Sequence, residues 1–273
     1  MDFYEEVCVP PLITMNGASF KVFSTVDDIH MRLKSKSIWR AKAIIIHDPD
    51  GSLLKLYGNR FKRRGYAVKT LDTVDFSNST GYNPFEYVMN ENDVMKLAAA
   101  LIKATAGLSN DSNAREYFLE HMLCAALISY LCDMAPTNEK NVKTLIYMLD
   151  YMKQEEWEYE DGFMTAVDFL FESKAEYDPS HMSPQLYKCF KTCAGKEGQS
   201  IVESLTAKLA PLNTDEVSGL ISGDGLELDS FAYQKTALFV IDGDAKIEHR
   251  FLAPLMYAQL FDLLSVMNIS YTQ

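Results

Sequence analysis

Long apolar runs are missing from this sequence: none reaches the about 20 residues a helix needs to span a bilayer, which excludes a helical membrane crossing within it. Cysteine is scarce, five in 273 residues, odd in number and widely spread. Such a set makes no disulfide framework and fits reduced thiols in a cytosolic setting. Residues Met1 to Glu6 are acidic and lack the basic-then-apolar order of a signal peptide. Basic charge is also short after residue 80. Residues 81–273 hold 14 basic and 29 acidic side chains, against 12 and 9 in residues 1–80. That acidic surplus repels phosphates, so the C-terminal two-thirds is unsuited to non-specific DNA binding. Neither G-x-x-x-x-G-K-[ST] nor G-x-G-x-x-G occurs. The nearest string, Cys193-Ala-Gly-Lys-Glu-Gly198, has Glu197 where Ser or Thr is needed and follows a helical pattern rather than a strand. No paired C-x-x-C, G-x-S-x-G or H-E-x-x-H is present, so zinc-site and hydrolase signatures are lacking.

What remains is ordinary for a folded chain: 48% apolar and 23% charged residues, enough for one large domain or two modest ones. Asn16-Gly17 between two β-prone runs marks a hairpin over Leu12 to Phe23. Thr25 to Asp28 opens a short helix to about Lys36 in the manner of a capping box. Ala43 to His47 reads as a strand buried on both faces, Ser52 to Arg64 as a helix stopped by Gly65, and Tyr66 to Leu71 as the next strand. This strand–helix–strand spacing predicts a parallel sheet. From Asn92 to Ile221 the periodicity is helical throughout, with the acidic stretch Glu155 to Asp161 read as a loop. Strand character returns at Thr236 to Ile241, followed by a helix from about Arg250 to Leu264. The fold class expected is α/β, with residues 1–83 and 224–273 forming the core and 84–223 an all-α insertion.

Two strands end in acids, Asp48 with Asp50 and Asp242 with Asp244. Acids at the carboxyl ends of parallel strands stand where ligands bind and can hold Mg²⁺ beside a nucleotide, given a phosphate loop. They are equally ordinary turn residues. Arg60, Lys62, Arg63 and Arg64 crowd the end of one helix. There they favour the negative end of its dipole, or offer a phosphate or partner contact. Glu155, Glu156 and Glu158 form an acidic surface that can face solvent or a basic partner. His121 and Cys124 share a helix face, as do Cys189 and Cys193. The bland reading of these thiols is burial in a helical core.

Several strings together resemble the type IV secretion coupling proteins, the TraG/TraD-type conjugation ATPases. Asp48-Pro-Asp-Gly-Ser52 is similar to the family's D-P-K-G-E turn, and Tyr82-Asn-Pro-Phe85 to its Y-N-P-F lead into an all-α domain. Glu91-Asn-Asp-Val94, Ala194-Gly-Lys196 with Ser200-Ile201, Lys235 to Ile241 and Tyr257 to Asp262 follow in the family's order. The similarity runs from Ile38 to Asp262.

The resemblance implies a RecA-like nucleotide-binding core carrying an all-α domain, and a role in conjugative DNA transfer. The departures are specific. Where the family has its phosphate loop, Ser24 to Arg40 contains no glycine, and Asp50 replaces the turn lysine. The family's N-terminal membrane helices and its later Asp-Glu pair are not found in this sequence. The expectation is therefore a divergent, ATPase-deficient, coupling-protein-like component that recognises a substrate or partner. That partner would be a relaxase or other transfer-system protein, with a coupling ATPase homologue as a second contact. No cofactor is expected, and ATP with Mg²⁺ at Asp48, Asp50 or Asp242 belongs to the alternative, a subunit completing an ATPase site in trans. The expected location is cytoplasmic, with recruitment to the membrane by a secretion complex.

Overall fold

The computed structural model describes residues 13–15, 18–23, 39, 41–106, 113–153, 157–159, 162–246 and 249–270. Strands β1 (Ile13–Met15) and β2 (Ala18–Phe23) pair antiparallel, with Met15 opposite Ala18. The sequence expects the turn between them at Asn16-Gly17. That dipeptide and the helix expected from Thr25 lie outside the described residues. Strand β3 (Ala43–His47) follows, then helix α1 (Ser52–Arg63) and β4 (Ala67–Asp72). Much later comes β7 (Thr236–Ile241), all six residues buried, and helix α9 (Leu252–Ser270). The sheet order is β1-β2-β3-β7-β4, and β2, β3, β7 and β4 run parallel. The chain is thus α/β, as its pattern predicts. The strand–helix–strand unit is split, however: β3 and β4 are not neighbours, because β7 lies between them and bonds to both. The most uniformly apolar strand takes an interior position, where both of its edges are satisfied by neighbours.

Helix α1 closes one sheet face. Its buried Leu53 and Phe61 meet Ile44, Ile46, Ala237 and Phe239. The ring of Phe61 meets Phe239 and Tyr66 edge-on, at centroid distances of 5.8 and 5.5 Å, the arrangement favoured by the ring quadrupoles. The Tyr66 hydroxyl donates to the Ala41 carbonyl at 2.6 Å, which lets a polar group lie in this cluster.

The chain forms two compact units, residues 1–82 with 224–273, and Asn83–Gly223. Within the first, the departing and returning segments are tied together. The Gly81 carbonyl accepts from the amides of Gly225 (2.8 Å) and Leu226 (2.9 Å). Buried Lys69 on β4 donates to the Leu226 carbonyl and to Glu227, both at 2.6 Å. A Cβ on Gly225 would meet Thr80 Cγ2 at 2.9 Å, so any larger residue there requires the Thr80 side chain to move.

The second unit holds helices α2 (Glu91–Ala106), α3 (Ala114–Met134), α4 (Val142–Lys153), α5 (Ala166–Tyr177), α6 (Met182–Ala194), α7 (Gly198–Leu209) and α8 (Asp215–Ile221). It is not wholly helical: β5 (Trp157–Tyr159) and β6 (Gly162–Met164) pair antiparallel where the sequence reads as an acidic loop. Alternation of aromatic and acidic residues over Trp157 to Tyr159 suits a strand, and the charges masked that signal. Helix α5 consequently starts later than expected, at a reciprocal capping box between Thr165 and Asp168.

Helix α3 is the hub of this unit and is buried along Leu119 to Ser129 apart from His121. Its fully buried Glu120 receives Lys208 Nζ of α7 at 2.6 and 2.7 Å, with the Ser204 hydroxyl 2.7 Å away. A buried carboxylate is tolerable only while its cation is present. Lys208→Met is expected to cost about 3–5 kcal/mol in urea unfolding. Joint replacement of Lys208 and Glu120 by Met should recover most of that loss. If the single and double variants unfold alike, Glu120 is not held by the pair.

Candidate functional site

The register of β3, β7 and β4 brings their carboxyl ends level, with His47 opposite Val240 and Asp72 opposite Ile241. The loops that leave this edge supply its polar groups. After β3, the Asp48 amide donates to the Val240 carbonyl at 2.8 Å, and Pro49 and Asp50 turn the chain toward α1. After β7, Gly243 donates to the Pro49 carbonyl at 3.1 Å. A Cβ at position 243 would lie 2.8 Å from that same oxygen, so the two turns stack only because residue 243 is glycine.

The candidate acids have separate tasks at this edge. Fully buried Asp48 accepts from the amides of Leu53 (3.0 Å) and Leu54 (2.7 Å), one per carboxylate oxygen. It thereby caps the first turn of α1, where free amides and the helix dipole favour an anion. Asp50 is exposed and accepts from the Ser52 amide at 3.1 Å. Hydrogen bonds from Ser52 hold its carboxyl below the usual range. Asp242, 8% exposed, contacts His47 Nε2 through Oδ1 at 2.8 Å. Burial pushes the Asp242 carboxyl up, opposed by the charges of His47 and Arg250. Tyr257 of α9 is buried nearby, and burial together with the Asp242 charge raises its hydroxyl. Asp244 is exposed in the turn after Asp242. On β4, Asp72 turns inward on its own loop and accepts from Val74 and Asp75.

This edge therefore brings Asp48, Asp50 and Asp242 to neighbouring turns but gives each a different partner. Among the described residues, no group of three or more His, Cys, Asp and Glu converges as a metal site would require. What the edge can do is hold a proton or a charge between His47 and Asp242. His47 was not singled out from the sequence. Its signal was available, an ionisable residue closing an apolar strand directly before a turn, but its partner lies 195 positions away.

The basic candidates lie elsewhere in the same unit. Arg60 and Arg64 place their guanidinium carbons 5.2 and 4.7 Å from the centre of the Trp39 ring. These are cation–π contacts that cover the end of α1. Arg63 donates to the Asn59 carbonyl at 3.3 Å. Glu158 lies on β5 opposite Phe163, and Glu155 and Glu156 are outside the described residues. Of the thiols, Cys124 is buried as expected, and burial raises it to about 12. Cys189 and Cys193 are exposed instead. The buried stripe of α6 runs through Ser183, Tyr187, Phe190 and Ala194, which leaves positions 189 and 193 on its outer side.

A family model described as "Type IV secretory system Conjugative DNA transfer" matches residues 37–269, spanning most of both units. No curated protein matches the chain.

The raised Asp242 carboxyl has a pH consequence. Its proton is held more tightly in the folded than in the unfolded chain. Its contribution to stability is therefore full below about pH 4 and is lost as pH rises through the folded value. Asp242→Asn removes this titration. The stability of the natural chain relative to the variant should fall as pH rises from about 4, measured by urea unfolding at each pH. A constant difference would show that the His47 contact fully offsets burial.

Proposed function

Because the chain belongs to the family of type IV secretory system conjugative DNA-transfer proteins, it is a component of a conjugative transfer apparatus, and we propose that it recognises a substrate or partner protein there without hydrolysing ATP. The observation that carries this reading is the connection between β2 and β3. Residues 24–40 contain no glycine, and a nucleotide phosphate approaches backbone amides closely only over glycine-rich turns. The next turn adds Asp50, an acid that would face an anionic nucleotide. Asp48 is committed to the amides of α1 and Asp242 to His47, which supports the same reading. The sheet then serves as a scaffold derived from a RecA-like core, and Asn83–Gly223 is the recognition unit.

That unit carries 22 acidic and 11 basic side chains, a net of −11. Complementary charge suits a basic partner such as a relaxase or another transfer-system protein, and would speed encounter more than it deepens affinity. No helix among the described residues is long and apolar enough to cross a membrane, so membrane proximity would come through the secretion complex.

A second reading rests on the acids and His47 aligned at the carboxyl edge, which is where partner-supplied phosphates would be met. In that reading the chain completes an ATPase site in trans beside a homologous subunit.

Two measurements separate them. Titration of a fluorescent ATP analogue with Mg²⁺ should give no saturable binding, while the element's relaxase should be retained in a pull-down at low salt and released as salt rises. Saturable nucleotide binding, or a rise in ATP turnover on mixing with a family ATPase that Asp242→Asn abolishes, would favour the second reading. Loss of the relaxase at all salt concentrations would remove support from the first.

A further inference from the structure

The outward face of α6 carries chemistry that the transfer role does not use. Cys189 and Cys193 stand one turn apart and exposed, with their sulfurs 3.9 Å from each other. A regular helix keeps such Cβ atoms about 5–6 Å apart, beyond the about 3.5–4.5 Å of a disulfide. The pair therefore remains a dithiol while the helix is intact. A bridging ion imposes no such approach: two thiolates each about 2.3 Å from one ion lie about 3.8 Å apart at a tetrahedral angle and about 4.6 Å apart in a linear two-ligand arrangement, so sulfurs 3.9 Å apart need only open slightly to hold an ion between them.

The surroundings add thioether sulfur to oxygen groups. A groove of about 390 Å³ beside Cys189 is lined by Met122 of α3, by Met182, Gln185, Leu186 and Cys189 of α6, and by Glu91 and Ser180. Positions 182, 186, 189 and 193 form one continuous line along the helix. Thioether and thiolate sulfur select soft ions such as Cu(I) over oxygen-seeking cations. Among the described residues no third Cys, His, Asp or Glu joins the two thiols in a metal-holding group. The pair therefore offers two sulfur ligands, where a structural zinc site takes four.

We propose that Cys189 and Cys193 form a dithiol site for a soft, thiophilic monovalent metal ion, flanked by the thioethers of the neighbouring groove. Binding breaks two S–H bonds, forms two S–metal bonds and releases two protons to solvent, with no change of oxidation state. Slight burial and the adjacent Cys193 thiol hold Cys189 above its ordinary range, so uptake strengthens as pH rises.

The test uses the full reduced chain under anaerobic conditions, titrated with Cu(I) against a chromogenic chelator, with Zn(II) in parallel. A single Cu(I) per chain should be retained, with thiolate-to-copper absorption in the ultraviolet. Cys189→Ser and Cys193→Ser should each weaken retention by at least about 100-fold, while Cys132→Ser leaves it unchanged. Far-ultraviolet circular dichroism of each variant checks that the helices persist. Equal retention by the natural chain and both serine variants would overturn the site. Zinc held as tightly as copper, with two chains joined in light scattering, would overturn its assignment to a monovalent ion.

Discussion

The sheet depends on one pairing constraint: β3 and β4 leave a gap that only β7 fills. Every backbone group along Thr236 to Ile241 lies inside the sheet and must be met by a neighbour on each side. The register is continuous on both flanks, from Ala43 opposite Thr236 to Asp72 opposite Ile241. Until the strand arrives, Ile44, Ile46 and Phe61 lack Ala237 and Phe239, the rest of their apolar cluster. The intervening residues, Asn83–Gly223, form a unit of their own, so sheet completion joins segments far apart in sequence. Such non-local closure carries a large entropic cost and slows folding. The ties among Gly81, Gly225, Leu226 and Lys69 offset part of it by holding the departing and returning segments side by side.

The same arrangement decides what the carboxyl edge can do. Level strand ends gather acids, the usual setting for a ligand in a parallel sheet. Here Asp48 satisfies helix amides, and Asp242 meets His47. Both carboxylates are thus held by neighbours within the chain. Interest then moves to the acidic helical unit, whose stability leans on ion pairs that leave the water. Glu120 with Lys208, and Lys174 with Asp133, each place at least one charge almost wholly out of solvent. Pairs of this kind add little net stability, although removing one partner costs far more than removing both.

Much of this architecture was legible in the sequence. Apolar runs at Ala43 to His47 and Thr236 to Ile241 announced buried strands, and Gly65 announced a turn, because those signals are local. Two readings failed for physical reasons that are equally local. The strand β5 hid under its charges, and the thiols of α6 were assigned to the core although their helix buries a different stripe. Spacing alone states which residues share a helix face, not which face is covered.

The sequence by itself determined the α/β class, the helical middle and the family, since each follows from periodicity or from short strings kept in order. Tertiary structure alone decided that β7 separates β3 from β4, that His47 is the partner of Asp242, and that Asp48 is a helix cap. Each of these joins residues through backbone register or through a turn in space. Hydrophobic pattern fixes which side of a strand is buried, whereas the neighbour it bonds is chosen by closure of the whole sheet.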